Sequence, residues 1–467
     1  MLKWCTVNFE YSLGLPPDSI AVSADVRKKM NLSPGRQITL WVGNRRVSVR
    51  FLGHNNPTPD RVLYVAANLQ PIILLPAPAT LNLAAGSNPE TLRLGPLIGI
   101  FANRFSKTVK PFGEQTSFFR KLRSAADGLN AFCFAFCPSD IDWENKVIRG
   151  SIPPLPHDER SGWQTLPLPF PDVIYDRGLF PKGDKRRIAT ETRMVLRKYP
   201  GVKLFNPAFF GKWKTHKLLS KHEVLHGHLP KTRLYTNPAD IFELLGKHGI
   251  VYLKPSGGSS GRGIIRIAVS PAGYTVNFRE SGQVKALQAA KGAELAPYLK
   301  EILKGRRYIV QQGLKLARIN GCPFDIRVLM QRNRSGSWLR TGMAVRVASP
   351  GNFISNLHAG GHAEKISSVL PRVFPDLNLA GKAINEIRRV CALIASWVTA
   401  EGHPLFGEIA VDLGIDESCK VWIIELNAVP GRSVFRRIKS KEILAQAISR
   451  PIEFAYFISG FAPQSTK

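Results

Sequence analysis

Two segments that lie far apart in the chain carry side chains suited to binding a nucleotide. The first, residues 251–263, has the pattern of a strand that ends in Lys254 and continues into a loop of small residues. The backbone N–H groups of such a loop can surround phosphate oxygens, and the lysine adds a positive charge beside them. The loop positions that we expect to contact phosphate are Gly257, Gly258, Ser259, Ser260 and Gly261.

The second segment, residues 421–427, has the pattern of a buried strand that ends in a carboxylate and an amide. Glu425 and Asn427 alternate with Leu426, so they point to the same side of a strand. Asp412 ends an earlier strand pattern, and a turn between the two would pair it with Glu425 in an antiparallel hairpin. Carboxylate and amide oxygens suit a hard cation such as Mg²⁺. These side chains therefore predict a Mg²⁺ site, and with the glycine loop they indicate an enzyme that uses ATP.

Three kinds of glycine loop compete as interpretations of the first segment. A Walker loop ends in Gly-Lys-Ser or Gly-Lys-Thr, which this segment lacks. A Rossmann loop leads into a helix, whereas residues 264–269 form a β-type run. A protein kinase places its lysine after the glycines and not before them. The sequence therefore predicts a hairpin flap over phosphates, and the alternative is a hairpin that binds no ligand.

The bulk composition is that of a large soluble protein with an unusual charge. The chain has 467 residues, of which 44% are hydrophobic and 21% are charged. Its six cysteines are too few for a disulfide scaffold, and it shows no signal-peptide core or membrane span, so we expect a cytoplasmic protein. The net charge of +31 implies attraction to polyanions. An acidic substrate or an anionic surface is favoured over nucleic acid, and a solvated basic face is the alternative.

The order of patterns along the chain predicts an α+β protein with several domains. Residues 1–94 have short alternating runs and turn signals that indicate a small β-rich, barrel-like domain, with a hairpin at Gly43-Asn44. Residues 95–205 alternate strand and helix patterns, which is typical of an α/β domain with a parallel sheet. Residues 206–455 contain the two segments described above, and residues 456–467 are expected to form a tail.

Within the α/β part, two local expectations can be compared with a structure. Residues 112–123 have the composition of a helix. Residues 153–171 are rich in proline, so they are expected to be irregular.

The segments that bear the chemistry resemble those of the ATP-grasp superfamily. The run Lys-Pro-x-x-Gly-x-x-Gly-x-Gly-Ile that starts at Lys254 is similar to its phosphate flap. Asp412 and the run Glu425-Leu-Asn427 are similar to its metal-binding strands. The resemblance implies an ATP-grasp fold preceded by an α/β domain, with ATP and Mg²⁺ as ligands.

Two further segments of the ATP-grasp resemblance imply contacts with adenine and with the transferring phosphate. Residues 308–314 resemble the hinge whose backbone binds adenine, and residues 324–329 resemble the strand whose arginine faces that phosphate. Arg327 lies on that strand and Arg346 on a later β-type run, and bidentate arginines suit both a carboxylate and an acyl-phosphate. The hinge positions implied to bind ATP are Gln311, Gln312, Gly313 and Leu314.

Two residues are implied to contact substrate. Asn356 lies in residues 355–361, which resemble the Asn-Leu-His-x-Gly-Gly segment of RimK-like glutamate ligases. Arg432 follows Pro430-Gly431 and is assigned to the acceptor site.

A narrower resemblance, over roughly residues 94–455, is to the YheC/YheD family of ATP-grasp proteins associated with the endospore coat. It rests on the run Lys212-Trp-Lys-Thr-His-Lys, on Leu229-Pro-Lys-Thr, on the flap, and on Trp338 with the strand of Arg346. It implies Lys212 as a second phosphate-binding lysine, with Lys217 as the alternative, since Gly211 stands where an aspartate is expected.

The resemblance implies an ATP-dependent carboxylate–amine ligase that forms an acyl-phosphate. Its carboxylate and amine substrates are not identified by the sequence, although the charge favours an acidic one. Two alternatives stay open: a spore-associated protein that binds ATP with little turnover, and a phosphotransferase that stops at phosphorylation. The implied location is the cytoplasm or the spore.

Overall fold

The computed structural model describes residues 3–53, 61–86, 88, 90–105, 110–154, 162–207, 211–257, 263–280, 283–303, 305–351, 360–401 and 405–461. Helices and strands are grouped into one barrel and three open sheets, which confirms the predicted α+β class. Among the described residues, none of the helices combines the length and the apolar character that a membrane crossing requires.

The N-terminal part consists of seven strands and two short helices. They are β1 (Trp4–Ser12), β2 (Ser19–Val22), α1 (Ala24–Met30), β3 (Gln37–Val42), β4 (Arg45–Gly53), β5 (Val62–Ala66), α2 (Gln70–Ile73), β6 (Ala79–Ala85) and β7 (Thr91–Gly95). The strands close into a barrel in the order β1-β5-β2-β4-β3-β7-β6. Val42 pairs with Arg45 across the Gly43-Asn44 turn, so the predicted hairpin is confirmed. Gly43 has a φ of +55°, which glycine adopts without strain.

A mixed sheet follows the barrel. Its elements are β8 (Leu97–Phe101), α3 (Thr116–Asp127), β9 (Phe132–Phe136), β10 (Ile141–Asp142), β11 (Val147–Ile152), β12 (Gln164–Pro169), β13 (Val173–Asp176), α4 (Asp184–Lys198) and β14 (Lys203–Phe205). Strands β9, β8, β13 and β14 are parallel neighbours, as the alternation of strand and helix predicted. The helix expected over residues 112–123 is present as α3, which begins and ends four residues later.

The irregular structure expected for residues 153–171 is wrong in part, because β12 lies within that range. It pairs antiparallel with β11, and no strand of the described residues pairs with its outer side. Pro167 and Pro169 have no N–H group to donate, but an edge strand leaves alternate N–H positions without a partner, so the prolines are tolerated there.

An antiparallel sheet forms the first half of the region that carries the candidate site. Its elements are α5 (Lys212–Leu219), α6 (Glu223–His226), β15 (Thr232–Leu234), α7 (Ala239–His248), β16 (Ile250–Pro255), β17 (Ile265–Ser270), β18 (Gly273–Glu280), β19 (Gln283–Ala289), α8 (Gly292–Leu303) and β20 (Tyr308–Gln312). The strand order is β15-β20-β16-β17-β18-β19. Leu244 of α7 and Leu295 of α8 pack with Val251 and Ile267 in one core, so the helices cover one face of this sheet.

A second antiparallel sheet forms the other half. Its elements are β21 (Arg318–Ile319), β22 (Cys322–Arg332), β23 (Trp338–Val347), β24 (His362–Glu364), α9 (Ile366–Val373), α10 (Leu377–Ala400), β25 (Glu408–Ile415), β26 (Val421–Asn427), α11 (Ser433–Arg437) and α12 (Lys441–Ser459). The strand order is β24-β23-β22-β25-β26, with β21 beside β22. The apolar stripe of α10, including Ile387 and Ile394, packs on Ile409 and Val411 of β25.

The prediction that residues 456–467 form a C-terminal tail is wrong for residues 456–461. Helix α12 continues to Ser459, and both Tyr456 and Phe461 are buried. The Arg93 guanidinium lies 4.7 Å from the centre of the Phe461 ring and donates a hydrogen bond of 2.9 Å to the Ser459 carbonyl. Burial of apolar side chains against the barrel therefore orders this segment. The domain boundaries near residues 94 and 205 stay predictions.

Candidate nucleotide site

A pocket lies between the sheet that contains β16 and β20 and the sheet that contains β26, with α5 along one side. Four of the residues predicted from the sequence line it: Lys212, Lys254, Gln311 and Glu425. The remaining lining residues are Thr215, His216, Leu229, Ile309, Ile423, Ile424 and Leu426. A pocket that combines apolar side chains with a few polar and charged groups is the usual form of a site for a cofactor or nucleotide.

Lys212 is placed in the pocket by the start of α5. It is the first residue of that helix, and its Nζ atom lies 3.5 Å from Oε1 of Glu425. Lys217, the alternative from the sequence, is exposed and is not one of the described residues that line the pocket. The geometry therefore favours Lys212 as the second phosphate-binding lysine.

Lys254 lies near the end of β16, directly before the glycine loop. Its Nζ atom donates a hydrogen bond of 2.6 Å to Oε1 of Gln311, whose amide nitrogen donates in turn to Thr232. Burial lowers the pKa of Lys254 to about 8; the Glu425 carboxylate acts in the opposite direction, and the charge of Lys212 lowers the pKa further. A buried ammonium group beside another cation is stabilised by an anion, so these lysines suit phosphate oxygens.

Most of the glycine loop lies outside the described residues, including the predicted contacts Gly258, Ser259, Ser260 and Gly261. Gly257, at the start of the loop, is exposed. The flanking strands β16 and β17 pair antiparallel, with Leu253 opposite Ile265. The predicted placement of the loop between two antiparallel strands is therefore confirmed.

The predicted antiparallel hairpin of the strands that carry Asp412 and Glu425 is also confirmed. Asp412 of β25 is the register partner of Glu425 of β26, and the ladder has an irregularity directly after Asp412. Nδ2 of Asn427 donates to Oδ2 of Asp412 at 3.3 Å. The oxygens of these three side chains suit Mg²⁺ in ligand type. The described residues hold no cluster of three His, Cys, Asp or Glu side chains, so Mg²⁺ would depend on Asn427 and on phosphate oxygens as well.

Arg327 and Arg346 lie beside Asp412 and share its carboxylate. Both the Nε and Nη2 atoms of Arg327 donate to Asp412, while Arg346 lies 3.0 Å from Asp412 and 2.5 Å from Asp325. Burial alone would raise the pKa of Asp412, but the two guanidinium groups outweigh it and hold that pKa below its usual range. The arginines therefore keep the Asp412 carboxylate ionised and fix its orientation.

The hinge residues occupy the end of β20 and the turn that follows it. The N–H groups of Gln312 and Gly313 donate to the carbonyl groups of Lys231 and Ile250, at 2.8 and 2.7 Å. Within the described part of the chain, no backbone hydrogen bond uses the N–H of Leu314. Its role as a donor to adenine stays a prediction.

Arg432 belongs to a buried cluster around Glu408 and not to the described lining of the pocket. Its Nη2 atom donates to Glu408 at 2.5 Å and its Nη1 atom donates to the Pro430 carbonyl at 2.7 Å. Nη1 of Arg177 donates to the same carboxylate at 3.0 Å. The position of Arg432 therefore does not support a contact with the substrate, because the protein already engages Nη1 and Nη2, while Nε is buried without a partner among the described residues. The other predicted substrate contact, Asn356, lies outside the described residues.

Two polar residues that line the pocket, Thr215 and His216, were not predicted from the sequence. They follow Lys212 by three and four positions in α5, so the helix places all three on one face, and this spacing was the available signal. The His216 ring stacks on Trp213 with centroids 5.6 Å apart. Burial lowers the pKa of His216, so its imidazole is neutral at physiological pH and adds no charge to the pocket.

Comparison with known proteins finds a matching family and similar proteins. Residues 201–458 match the family described as YheC/D like ATP-grasp. The chain is 30% identical over 405 residues to the endospore coat-associated protein YheD of Bacillus subtilis (strain 168), which covers 86% of each protein. It is 25% identical over 334 residues to the endospore coat-associated protein YheC of the same strain, which covers 71% of this chain and 89% of YheC.

Among solved structures, the chain is similar to the ATP-grasp ligase PsnB in complex with a phosphomimetic variant of its minimal precursor, Mg and ADP. The superposition has a TM-score of 0.45 and 15% sequence identity, and it covers 75% of this chain and 97% of PsnB.

Proposed function

Because the chain belongs to the YheC/D-like ATP-grasp family, we propose that it is an ATP-dependent carboxylate–amine ligase that forms an acyl-phosphate. The observation that carries the proposal is the meeting of Lys212, Lys254 and Glu425 in one pocket. These residues come from a helix and from two different sheets. Phosphoryl transfer depends chiefly on charge neutralisation and alignment, which this arrangement supplies.

In the proposed reaction, Lys212 and Lys254 bind the phosphate groups of ATP, and the apolar lining binds the base. Asp412, Glu425 and Asn427 would hold Mg²⁺, which neutralises charge that develops on the phosphate oxygens. Arg327 and Arg346 orient the Asp412 carboxylate, and we propose that they face the acidic substrate and the phosphate during the transfer. A carboxylate oxygen of one substrate attacks the γ-phosphate and ADP leaves. The amine of the other substrate then attacks the acyl carbon, loses a proton and releases phosphate.

The location and the charge bear on the substrates. YheD and YheC are named as endospore coat-associated proteins, and we propose the same association for this chain. A net charge of +31 suits an acidic substrate or an anionic spore surface.

The proposed ligase activity is tested by the dependence of ADP release on two substrates. We expect purified protein with Mg-ATP to release ADP only when a carboxylate and an amine are both present, in a screen of pooled amino acids and acidic peptides. ADP release with a carboxylate alone, together with a stable phosphorylated product, would identify a phosphotransferase instead. Nucleotide binding by calorimetry without any ADP release would favour a spore-associated ATP-binding protein, and no nucleotide binding would overturn all three functions.

We expect nucleotide binding to take up a proton at alkaline pH because of Lys254. Its pKa of about 8 means that the free protein has lost part of this proton at about pH 8.5, and bound phosphate stabilises the charged form. Binding should therefore weaken as the pH rises through 8. Titration calorimetry in two buffers that differ in ionisation enthalpy measures the uptake directly.

The matched variants for this experiment are Lys254→Met and Lys217→Met. The first should abolish the proton uptake and weaken binding, and the second should change neither, since Lys217 is exposed outside the pocket. An uptake of the same size in Lys254→Met would show that another group takes the proton.

A further inference from the structure

The wall of the pocket formed by α5 contains a hydroxyl group that lacks a partner. Thr215 is only 7% exposed, and its Oγ1 atom is buried without a hydrogen-bond partner among the residues that the structure describes. The same residue lines the pocket together with Lys212 and Lys254. Buried hydroxyl groups are nearly always hydrogen-bonded, so an exception that borders a ligand pocket points to a ligand atom as the partner.

The local backbone does not satisfy this hydroxyl group. A threonine inside a helix often donates to the carbonyl group of the preceding turn. The carbonyl of Gly211, which lies one turn earlier, accepts the backbone N–H of Thr215 at 2.8 Å but not its hydroxyl. Thr192 of α4 is the contrasting case, because it is equally buried and its hydroxyl donates to the Ile188 carbonyl at 2.8 Å. Among the described residues, the Thr215 hydroxyl is therefore buried with its hydrogen-bonding capacity unused, at the wall of a pocket that a ligand could enter.

The position of Thr215 favours the base over the phosphates as the part of the nucleotide that its hydroxyl contacts. The charged groups that suit phosphate are Lys212, Lys254 and Glu425, and Thr215 lies one helical turn beyond Lys212. The apolar lining side chains Leu229, Ile309, Ile423, Ile424 and Leu426 provide the surface that a flat heteroaromatic ring needs. A hydroxyl group next to such a surface can donate to a ring nitrogen or accept from an exocyclic amine.

We propose that the Thr215 hydroxyl hydrogen-bonds to the polar edge of the nucleobase and is a specificity-determining contact of the pocket. The proposal rests on the proposed function, since it requires a nucleotide in this site. It makes a prediction that a purely structural role would not make. Replacement of the hydroxyl by a methyl group removes a buried group without a partner, so the ligand-free protein should not lose stability, while the complex should.

The experiment compares Thr215→Val and Thr215→Ser with the wild-type protein, and Thr192→Val serves as a control for a buried helical threonine. Titration calorimetry with Mg-ATP should show that Thr215→Val weakens binding roughly threefold to tenfold, the value of one hydrogen bond. Thr215→Ser and Thr192→Val should bind ATP as the wild type does. The melting temperature of ligand-free Thr215→Val should equal or exceed that of the wild type.

Titrations with ADP, AMP and adenosine decide between base and phosphate. A base contact predicts that Thr215→Val weakens all of these ligands and ATP by the same factor, whereas a phosphate contact predicts that the factor disappears for adenosine, which carries no phosphate, and overturns the proposal. Unchanged ATP affinity in Thr215→Val, with wild-type binding intact, overturns the proposal but not the proposed function. Absence of ATP binding by the wild-type protein overturns both.

Discussion

Replacement of Asp412 by asparagine is expected to reduce both turnover and stability, whereas replacement of Glu425 by glutamine should reduce turnover alone. Both changes remove a negatively charged oxygen from the proposed Mg²⁺ site. Each should lower kcat by about a hundredfold or more, because the loss of one group that stabilises charge in the transition state typically has an effect of this size. The affinity for ATP should fall less, because the lysines and the apolar lining remain.

The difference in stability follows from the partners of the two carboxylates. Asp412 is 3% exposed and shares its carboxylate with Arg327 and Arg346. Asparagine would leave the largely buried Arg327 guanidinium without its counter-charge and Arg346 with Asp325 alone, which costs about 3–5 kcal/mol. The Glu425 side chain is 26% exposed and lies 3.5 Å from a single lysine, so its loss should change the free energy of unfolding far less.

The pH dependence of the Asp412→Asn effect has a defined sign. The folded protein holds the pKa of Asp412 below its usual range, so the ionised carboxylate stabilises the fold at neutral pH. That contribution begins to fall once the pH drops below the pKa of an aspartate in the unfolded chain, about 4, and it is gone when the pH is below the lowered pKa of the folded protein. Urea unfolding of wild type and Asp412→Asn at several pH values should therefore show a difference that shrinks in acid. Equal stability of the two proteins at neutral pH would contradict the role of the arginine pair.

Contacts could be predicted from the sequence where the residues that meet lie close together in the chain. The YheC/YheD resemblance and the ATP-grasp fold are confirmed by the family match. The pairing of Asp412 with Glu425 could be predicted because both lie on one hairpin and strand alternation fixes their side. Thr215 could not be predicted as a pocket residue in the same way. The face of α5 that lines the pocket depends on how the helix packs against two sheets whose strands lie far away in the sequence. The ion pair between Arg432 and Glu408 could not be predicted, because Glu408 belongs to the earlier strand β25 and no local pattern indicated that the two residues would meet.

Replacement of Glu408 by glutamine is expected to destabilise the fold by about 3–5 kcal/mol, because it breaks a buried charge cluster. Glu408 is fully buried and accepts hydrogen bonds from Arg177 at 3.0 Å, from Arg432 at 2.5 Å and from the Tyr175 hydroxyl. Gln331 donates to the same carboxylate at 2.9 Å. A neutral amide would leave two buried guanidinium groups without a counter-charge and would place a donor where only acceptors fit.

The cluster joins three parts of the chain, so its loss should also reach the site. Tyr175 and Arg177 belong to β13 and the residues that follow it, whereas Glu408 begins the strand that carries Asp412. Arg177 and Arg432 both donate to the Pro430 carbonyl, which lies in the loop after Asn427. A shift of this loop would move Asn427 relative to Asp412, so Glu408→Gln should lower kcat more than it lowers the affinity for ATP.

Glu243 offers the matched control for this prediction, because it also binds two cations but lies on the surface. Glu243 forms ion pairs with Arg233 of β15 and with Lys247 of its own helix α7, and 43% of its side chain is exposed. Water solvates these partners when the charge is removed, so Glu243→Gln should leave the urea midpoint of unfolding almost unchanged. If Glu408→Gln unfolds at the same urea concentration as Glu243→Gln, the cluster does not stabilise the fold. In that case Arg432 would be available again as a candidate contact for the substrate.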